Sequence, residues 1–374
     1  MCVLCERAAL ALGDAVLASN LLTDSANVAF SQGRVASDGV MDLYLHAPGG
    51  AVQVSGGEFG GQTIESVAIP QQDQDYIRSI VRRLDAIIDL DFRFVADPGQ
   101  ADVAFYYDTE IEIGGGRGTL GLSVQGDEFW ELFINQASVG SDEDQRQYVS
   151  LHEWGHTLGL EHPFEAGDGD VYAGNTNPWT SAYPEETVMA YRRPLNGEWP
   201  DFFSTSDLNA LIEIWGAEIN RLSSSDDVFN GLEYQERVLG LAGDDTVIGG
   251  GGDDRLNGNV GADWLQGAKG NDILFGGQGD DLIRGGKGDD WLTGDRGNDS
   301  LWGDLGADRI RLSEGNDVVW GFSALEWDRL EISEGLEYSL LESGGSIELV
   351  SGLGVTVFMG VAGAEEIENA VVFV

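Results

Sequence analysis

Cysteine is nearly missing from this chain. The two present, Cys2 and Cys5, sit at the extreme N-terminus, so no disulfide framework can brace the body of the protein. Lysine occurs only at Lys269 and Lys287, and arginine supplies the rest of 20 basic side chains against 65 acidic ones. The resulting net charge of −45 excludes nucleic acid and anionic membrane surfaces as partners held by bulk electrostatics. Proline is also scarce, 8 residues against 54 glycines, which excludes collagen and proline-rich linkers and points to a regular array of turns. No run of 18 apolar residues exists, so membrane insertion of a helix is not expected. Residues 7–22 have the apolar character of a signal peptide, but Glu6 precedes them, Asp14 interrupts them and no basic cluster leads in. Any export is therefore expected to use another route. What is present is an apolar share of 42%, enough to build cores, over 374 residues, a length suited to two or three domains.

From residue 222 the chain divides into eleven successive nonapeptides ending at 320, the central ones reading GGGGDDRLN, GNVGADWLQ, GAKGNDILF, GGQGDDLIR and GGKGDDWLT. The eighth position is apolar in all eleven, from Phe229 and Val238 to Val319. The sixth is aspartate in ten, with Glu236 the exception, and glycine holds the fourth in the last nine. The end units degrade, Leu222 and Leu312 replacing the leading glycine, as capping repeats do. Six residues with glycines at fixed offsets turn through conformations that other residues avoid. The remaining three, with one aliphatic pointing inward, make a very short strand. Each unit is half a coil, so residues 18 apart are expected to stack at the strand spacing of about 4.8 Å. Asp245, Asp263, Asp281 and Asp299 then form one column, and Asp254, Asp272, Asp290 and Asp308 the other. Carboxylates stacked so closely repel unless a cation lies between them. Hard oxygen ligands, from these aspartates and from turn carbonyls, suit Ca²⁺. The array resembles the repeats-in-toxin (RTX) family, strongly over 240–320 and weakly over 222–239, and the resemblance implies a parallel β-roll with several structural calcium ions.

Three of the four histidines fall within HEWGHTLGLEH, residues 152–162. The run from Ser141 to Leu158 reads as a helix, with Ser141 as N-cap, acidic residues at 142–144 complementing its positive end, and Gly159 stopping it. Positions four apart share a helix face, so His152 and His156 can present nitrogens to one metal, and reversal at Gly159 can return His162 as a third ligand. Three neutral nitrogens leave a position open for water, which is the pattern of catalytic zinc. Glu153 stands beside them, placed to take a proton from that water.

The extended motif matches the metzincin metallopeptidases, and further residues look like serralysins among them. TVMAY (187–191) supplies Met189 for the methionine turn beneath the zinc and Tyr191 for the tyrosine that serves as an extra zinc ligand and steadies the oxyanion. Pro163 after the third histidine and the helix in FFSTSDLNALIEIWG (202–216), with Leu208, Leu211, Ile212 and Trp215 on its apolar face, fit the same group. His46 has no evident partner and reads as an ordinary strand residue.

The expected architecture is therefore multidomain: an α+β metzincin zinc-peptidase domain over 40–218, then an all-β parallel β-roll over 222–320 with a β-cap at 321–374. Residues 1–39 resemble a propeptide. Within the first domain MDLYLHA (41–47), FRFV (92–95), DVAFYYD (102–108) and WELFINQ (130–136) read as strands, and 74–90 reads as a long helix with Ile77, Ile80, Val81, Leu84, Ile87 and Ile88 inward. The resemblance implies that LGLSV (120–124) is the edge strand that receives an extended substrate. GDGD (167–170) is either a further calcium site or a polar loop. Cys2 or Cys5 could ligate the zinc of a latent form; incidental cysteines or a separate CxxC pair are the alternatives. The terminal EEIENAVVFV has the character of an uncleaved type I secretion signal, or is a plain terminal strand. The function expected is that of a secreted, extracellular, monomeric zinc endopeptidase acting on polypeptides and exported by a type I apparatus. The alternative is a non-catalytic calcium-binding surface or adhesion protein carrying a vestigial peptidase domain.

Overall fold

The computed structural model describes residues 23–35, 38–109, 120–126, 129–139, 142–162, 187–189, 194, 198–343 and 345–374. The chain divides between Gly216 and Ala217 into two compact units.

In the N-terminal unit, Val40–Leu45 (β1), Gly50–Val54 (β2), Gln62–Val67 (β3), Asp91–Phe94 (β4), Val103–Asp108 (β5), Gly121–Gln125 (β6) and Trp130–Asn135 (β7) form one mixed sheet. β4, β1, β5 and β7 lie side by side and parallel, and β6 pairs antiparallel with β7. The β2–β3 hairpin joins the C-terminal end of β5 through Ser66–Asp108 and Val67–Tyr107. β5 and β7 are buried at every position, as their near-continuous apolar sequences VAFYYD and WELFIN require of parallel strands covered on both faces. With the helices Ser25–Val35 (α1), Gln71–Leu84 (α2), Glu143–Thr157 (α3) and Thr205–Trp215 (α4), the unit is α+β.

The expected strands in 41–47, 92–95, 102–108, 120–124 and 130–136 are all present, each within a residue or two of its expected ends. Helix α2 differs. It begins at Gln71, directly after Pro70, and stops at Leu84. Ile87 and Ile88 are buried as expected but lie in a turn in which both amides donate to the Leu84 carbonyl (2.8 and 2.9 Å). That turn lets Asp89 N–H reach the carbonyl of Gly216 at 2.9 Å. Burial without helix explains why an apolar periodicity over-extends the element. The β2–β3 hairpin and α1 were not expected, and α1 falls inside the stretch read as a propeptide.

Helix α3 is capped one residue later than expected: the Asp142 carboxylate accepts Gln145 N–H at 3.2 Å, the bond an N-cap makes, while Ser141 lies outside the described residues. Buried Arg146 ties α3 to α2 through Asp73 (Nε–Oδ2 3.0 Å). Losing either partner would strand a buried charge, so this pair fixes how the helix sits.

The C-terminal unit is the β-roll. One sheet runs, in spatial order, through strands at 219–221, 237–239, 255–260, 273–278, 291–296, 309–311, 329–332 and 371–373; the other through 228–230, 246–251, 264–269, 282–287, 300–305, 315–320, 354–359, 346–351 and 338–343. Repeat strands pair in parallel 18 residues apart, Val238 on Leu256 on Leu274 on Leu292 on Ile310 in one sheet and Val247 on Leu265 on Ile283 on Leu301 on Val319 in the other. These ten side chains are nearly or wholly solvent-free and form the core. The first strand, Ile219–Arg221, precedes the nonapeptide register and pairs with Arg237–Leu239. Three antiparallel cap strands follow, then a helix at Ala364–Ala370 and a last strand, Val371–Phe373, parallel to Leu330–Ile332. The terminal apolar tetrad is thus in part a sheet strand.

Fourth-position glycines set the coil spacing. At Gly279, φ is +137° and an added Cβ would fall 1.8 Å from the carbonyl oxygen of Gly261, one coil away. Gly279→Ala is expected to destabilise the calcium-loaded roll by about 2 kcal/mol or more, read from denaturant unfolding. An unchanged midpoint would mean the turns are looser than drawn.

Candidate metal centres

The three histidines of the motif converge. His162 Nε2 lies 3.0 Å from His152 Nε2 and 3.1 Å from His156 Nε2. The other ring nitrogens fix the tautomers: His152 Nδ1 lies 2.7 Å from the Val188 carbonyl oxygen and His156 Nδ1 3.0 Å from that of Leu160. A carbonyl only accepts, so both Nδ1 atoms carry the proton and both Nε2 atoms present lone pairs to the same point. One neutral imidazole at His162 cannot protonate both. Burial lowers His152 to about 4, against the raising effect of the Val188 bond, and together with the His152 charge holds His162 well below the ordinary histidine range. Neutral rings with convergent nitrogens and carbonyl-fixed tautomers would suit a divalent transition metal.

Against α3, Met189 is fully buried, and a Cβ added at Gly155 would fall 2.6 Å from its Sδ, so helix and methionine meet at a residue with no side chain. The segment 187–189 is held from α4. Asp207 Oδ2 accepts Val188 N–H (2.9 Å), Ser204 N–H (2.9 Å) and the Ser204 hydroxyl (2.7 Å), and Oδ1 accepts the Thr187 hydroxyl. Burial pushes the Asp207 carboxyl up, and these donors oppose it. Asp207 thus sets the carbonyl that orients His152, and Tyr148 OH donates to the same oxygen at 2.8 Å.

Glu153 is buried beside the cluster. Burial pushes its carboxyl up to about 8, opposed by the hydroxyl and N–H of Ser123 on β6, both of which donate to it. β6 runs so near that a Cβ at Gly121 would fall 2.6 Å from Glu153 Cγ and Oε1. β7 is the one ladder partner of β6 among the described residues, so β6 is an edge strand lying against Glu153.

The second centre is repeated along the roll. Asp245, Asp254, Asp263, Asp272, Asp281, Asp290, Asp299 and Asp308 are each at most 2% exposed. In each, Oδ1 accepts the backbone N–H of the residue 18 positions earlier at 2.8 to 3.0 Å. In each, the buried Oδ2 has no protein partner, and Glu236 Oε2 continues the series. Burying an anionic oxygen without a partner is strongly unfavourable. Burial, reinforced by neighbouring carboxylates and opposed by the backbone donors, raises Asp254 to about 9, Asp290 to about 8 and Asp281, Asp299 and Asp308 to about 7. The oxygens face a cradle. A Cβ placed on Gly258 would fall 2.2 Å from Asp263 Oδ2 and 2.7 Å from the Gly276 carbonyl oxygen of the next coil. Carboxylate and carbonyl oxygens converging on space without a side chain are ligands for a hard cation such as Ca²⁺.

The expected residues divide plainly. His152, His156, His162, Glu153 and Met189 come together, and the eight aspartates stack as expected. Tyr191, Cys2, Cys5, Pro163 and 167–170 lie outside the described residues. His46 is buried, with its Nδ1 3.1 Å from Tyr44 OH, and burial lowers it. Asp207, Ser123 and Gly121 were not singled out as site residues. Ser204–Asp207 carries the spacing of a capping box, which the structure forms, but nothing in that spacing marks the bonds to 187–189.

Residues 230–265, 257–292 and 284–319 match the family model of the RTX calcium-binding nonapeptide repeat, and these are the coils that carry the cradles. No curated protein sequence matches the chain. Among solved structures, the extracellular lipase LipA from Serratia marcescens aligns at 16% identity and a TM-score of 0.22. That alignment covers 42% of this chain and 40% of the lipase, so the chain spans well under half of that protein. A subunit of the Azotobacter vinelandii mannuronan C5-epimerase aligns at 24% identity and a TM-score of 0.21, covering 40% of this chain and 80% of its own.

Proposed function

We propose that the chain is a secreted zinc-dependent endopeptidase of the metzincin type whose C-terminal roll is folded by calcium. The observation that carries the reading is the convergence of three Nε2 atoms with two of their tautomers fixed by carbonyls. Zinc bound there would polarise the scissile carbonyl and acidify a water. Glu153, adjacent to His152 and against β6, takes the water's proton and passes it to the leaving amine. An extended polypeptide adds to the edge of β6, where main-chain pairing orients the bond to be cut. Tyr191 is assigned the oxyanion and Met189 the floor of the site, both from the motif. RTX repeats are typical of proteins exported by type I systems, which supports secretion to the calcium-rich exterior.

Metal analysis tests the centre. Purified protein is expected to hold about one zinc per chain, and His156→Ala to lose affinity far beyond tenfold while the roll keeps its calcium. Parent protein without zinc and without activity on casein would leave only the calcium-binding roll standing.

A further inference from the structure

The spatial relation of His156 to His162 rests on one turn, and that turn also ends α3. The carbonyls of Thr157, Leu158, Gly159 and Leu160 lie at or beyond the helix's last turn, where outside partners are needed. The four partners come from three places. Ser31 Oγ donates to Thr157 O at 2.6 Å, Trp215 Nε1 to Leu158 O at 3.0 Å, Asp24 N–H to Gly159 O at 3.0 Å and His156 Nδ1 to Leu160 O at 3.0 Å. Two of the four therefore belong to residues 23–35.

That segment is held firmly. Thr23 makes an antiparallel bridge with Leu160, two residues before the third histidine. The Asp24 carboxylate caps α1 by accepting the amides of Ala26 (2.7 Å) and Asn27 (3.1 Å). Val28 presses on the turn so closely that a Cβ at Gly159, where φ is +102°, would fall 2.6 Å from its Cγ2. Trp130 Nε1 donates to Ser31 Oγ at 3.0 Å, and Phe30 packs edge-on against the same indole. Arg34 pairs with Asp102 at 3.1 Å.

We infer that residues 23–35 are a positioning strap for the third metal ligand, and that any activating cleavage falls before Thr23 and leaves the strap in place. The propeptide-like stretch is then 1–22 instead of 1–39. The inference rests on the endopeptidase reading for its functional meaning, though not for its test. In the full chain, Val28→Ala with Ser31→Ala is compared with Val54→Ala, which truncates an apolar cluster elsewhere in the same unit. Two quantities are read: amide exchange over 158–162 and the rate of zinc release to a chelator. The double variant is expected to exchange about tenfold faster over 158–162 and to release zinc about 10–100-fold faster, while Val54→Ala changes neither. Equal changes in both variants, or none in the double variant, would overturn the strap. Exchange can be read on metal-free protein, so a parent protein without metal would sink the endopeptidase reading and still leave the strap decided. The N-terminus of the active protein, read by mass spectrometry, is expected at or before Thr23; an active form that begins beyond Thr23 contradicts the inference.

Discussion

Chelating calcium at about pH 8 should cost the C-terminal unit its cooperative fold, seen as loss of β-sheet circular dichroism, and millimolar calcium should restore it. Each coil presents a buried carboxylate oxygen that no protein donor reaches, at Asp245 and every ninth residue to Asp308. The cradle joins two successive coils, so it does not exist in the unfolded chain, and calcium's binding energy becomes folding energy. Acid gives an independent check. These carboxyls are raised in the folded roll, Asp254 to about 9 and Asp290 to about 8, against an unperturbed aspartate near 3.8. The calcium-free folded state therefore binds more protons than the unfolded chain, and its stability must fall as pH rises. Calcium-free roll should accordingly be most structured near about pH 4 and lose structure progressively towards about pH 9, whereas calcium-loaded roll should stay folded over the upper half of that window. A spectrum indifferent to chelator, or a calcium-free roll that gains stability with rising pH, would refute the cradle.

The two parts of the chain were unequally legible for a physical reason. In the roll the repeating ladder contacts join residues 18 apart, Leu256 on Leu274 or Asp272 Oδ1 on Asp254 N–H, so that part of the contact map is itself a sequence period. The histidine pair was legible because His152 and His156 share a helix face by spacing alone. His162 needed the positive φ of Gly159, which the motif also marks. What holds these side chains carries no such signal. Ser31 meets Thr157 across 126 positions, and Asp207 meets Val188 across 19, through contacts set by how helices pack on the sheet. Neither shows as periodicity. Ile87 and Ile88 are the opposite case, an apolar pattern that reports burial in a turn and not a helix.

Replacing Glu153 with glutamine should lower hydrolysis of casein by about 10²–10⁴-fold while leaving the zinc content unchanged. The substitution keeps the size of the side chain, and its amide oxygen can still accept from Ser123, so neither the fold near Gly121 nor the metal ligands need move. What it removes is the carboxylate's capacity to take a proton from water and return it to the departing nitrogen. Glu153 is well placed for that exchange. It is buried, and burial pushes its carboxyl up to about 8; a cation held by the neighbouring histidines would draw it back down, towards the neutral range in which a general base works best. It also lies against the edge strand to which a substrate backbone would add, with glycine at 121 leaving the carboxylate room. A purely structural glutamate would behave differently: the isosteric amide would cost little, and a disruptive change such as Glu153→Ala would lower zinc content and stability together. Equal clearing of a casein gel by parent and Glu153→Gln would sink the catalytic assignment. Absence of clearing by a zinc-loaded parent would favour the calcium-binding surface protein.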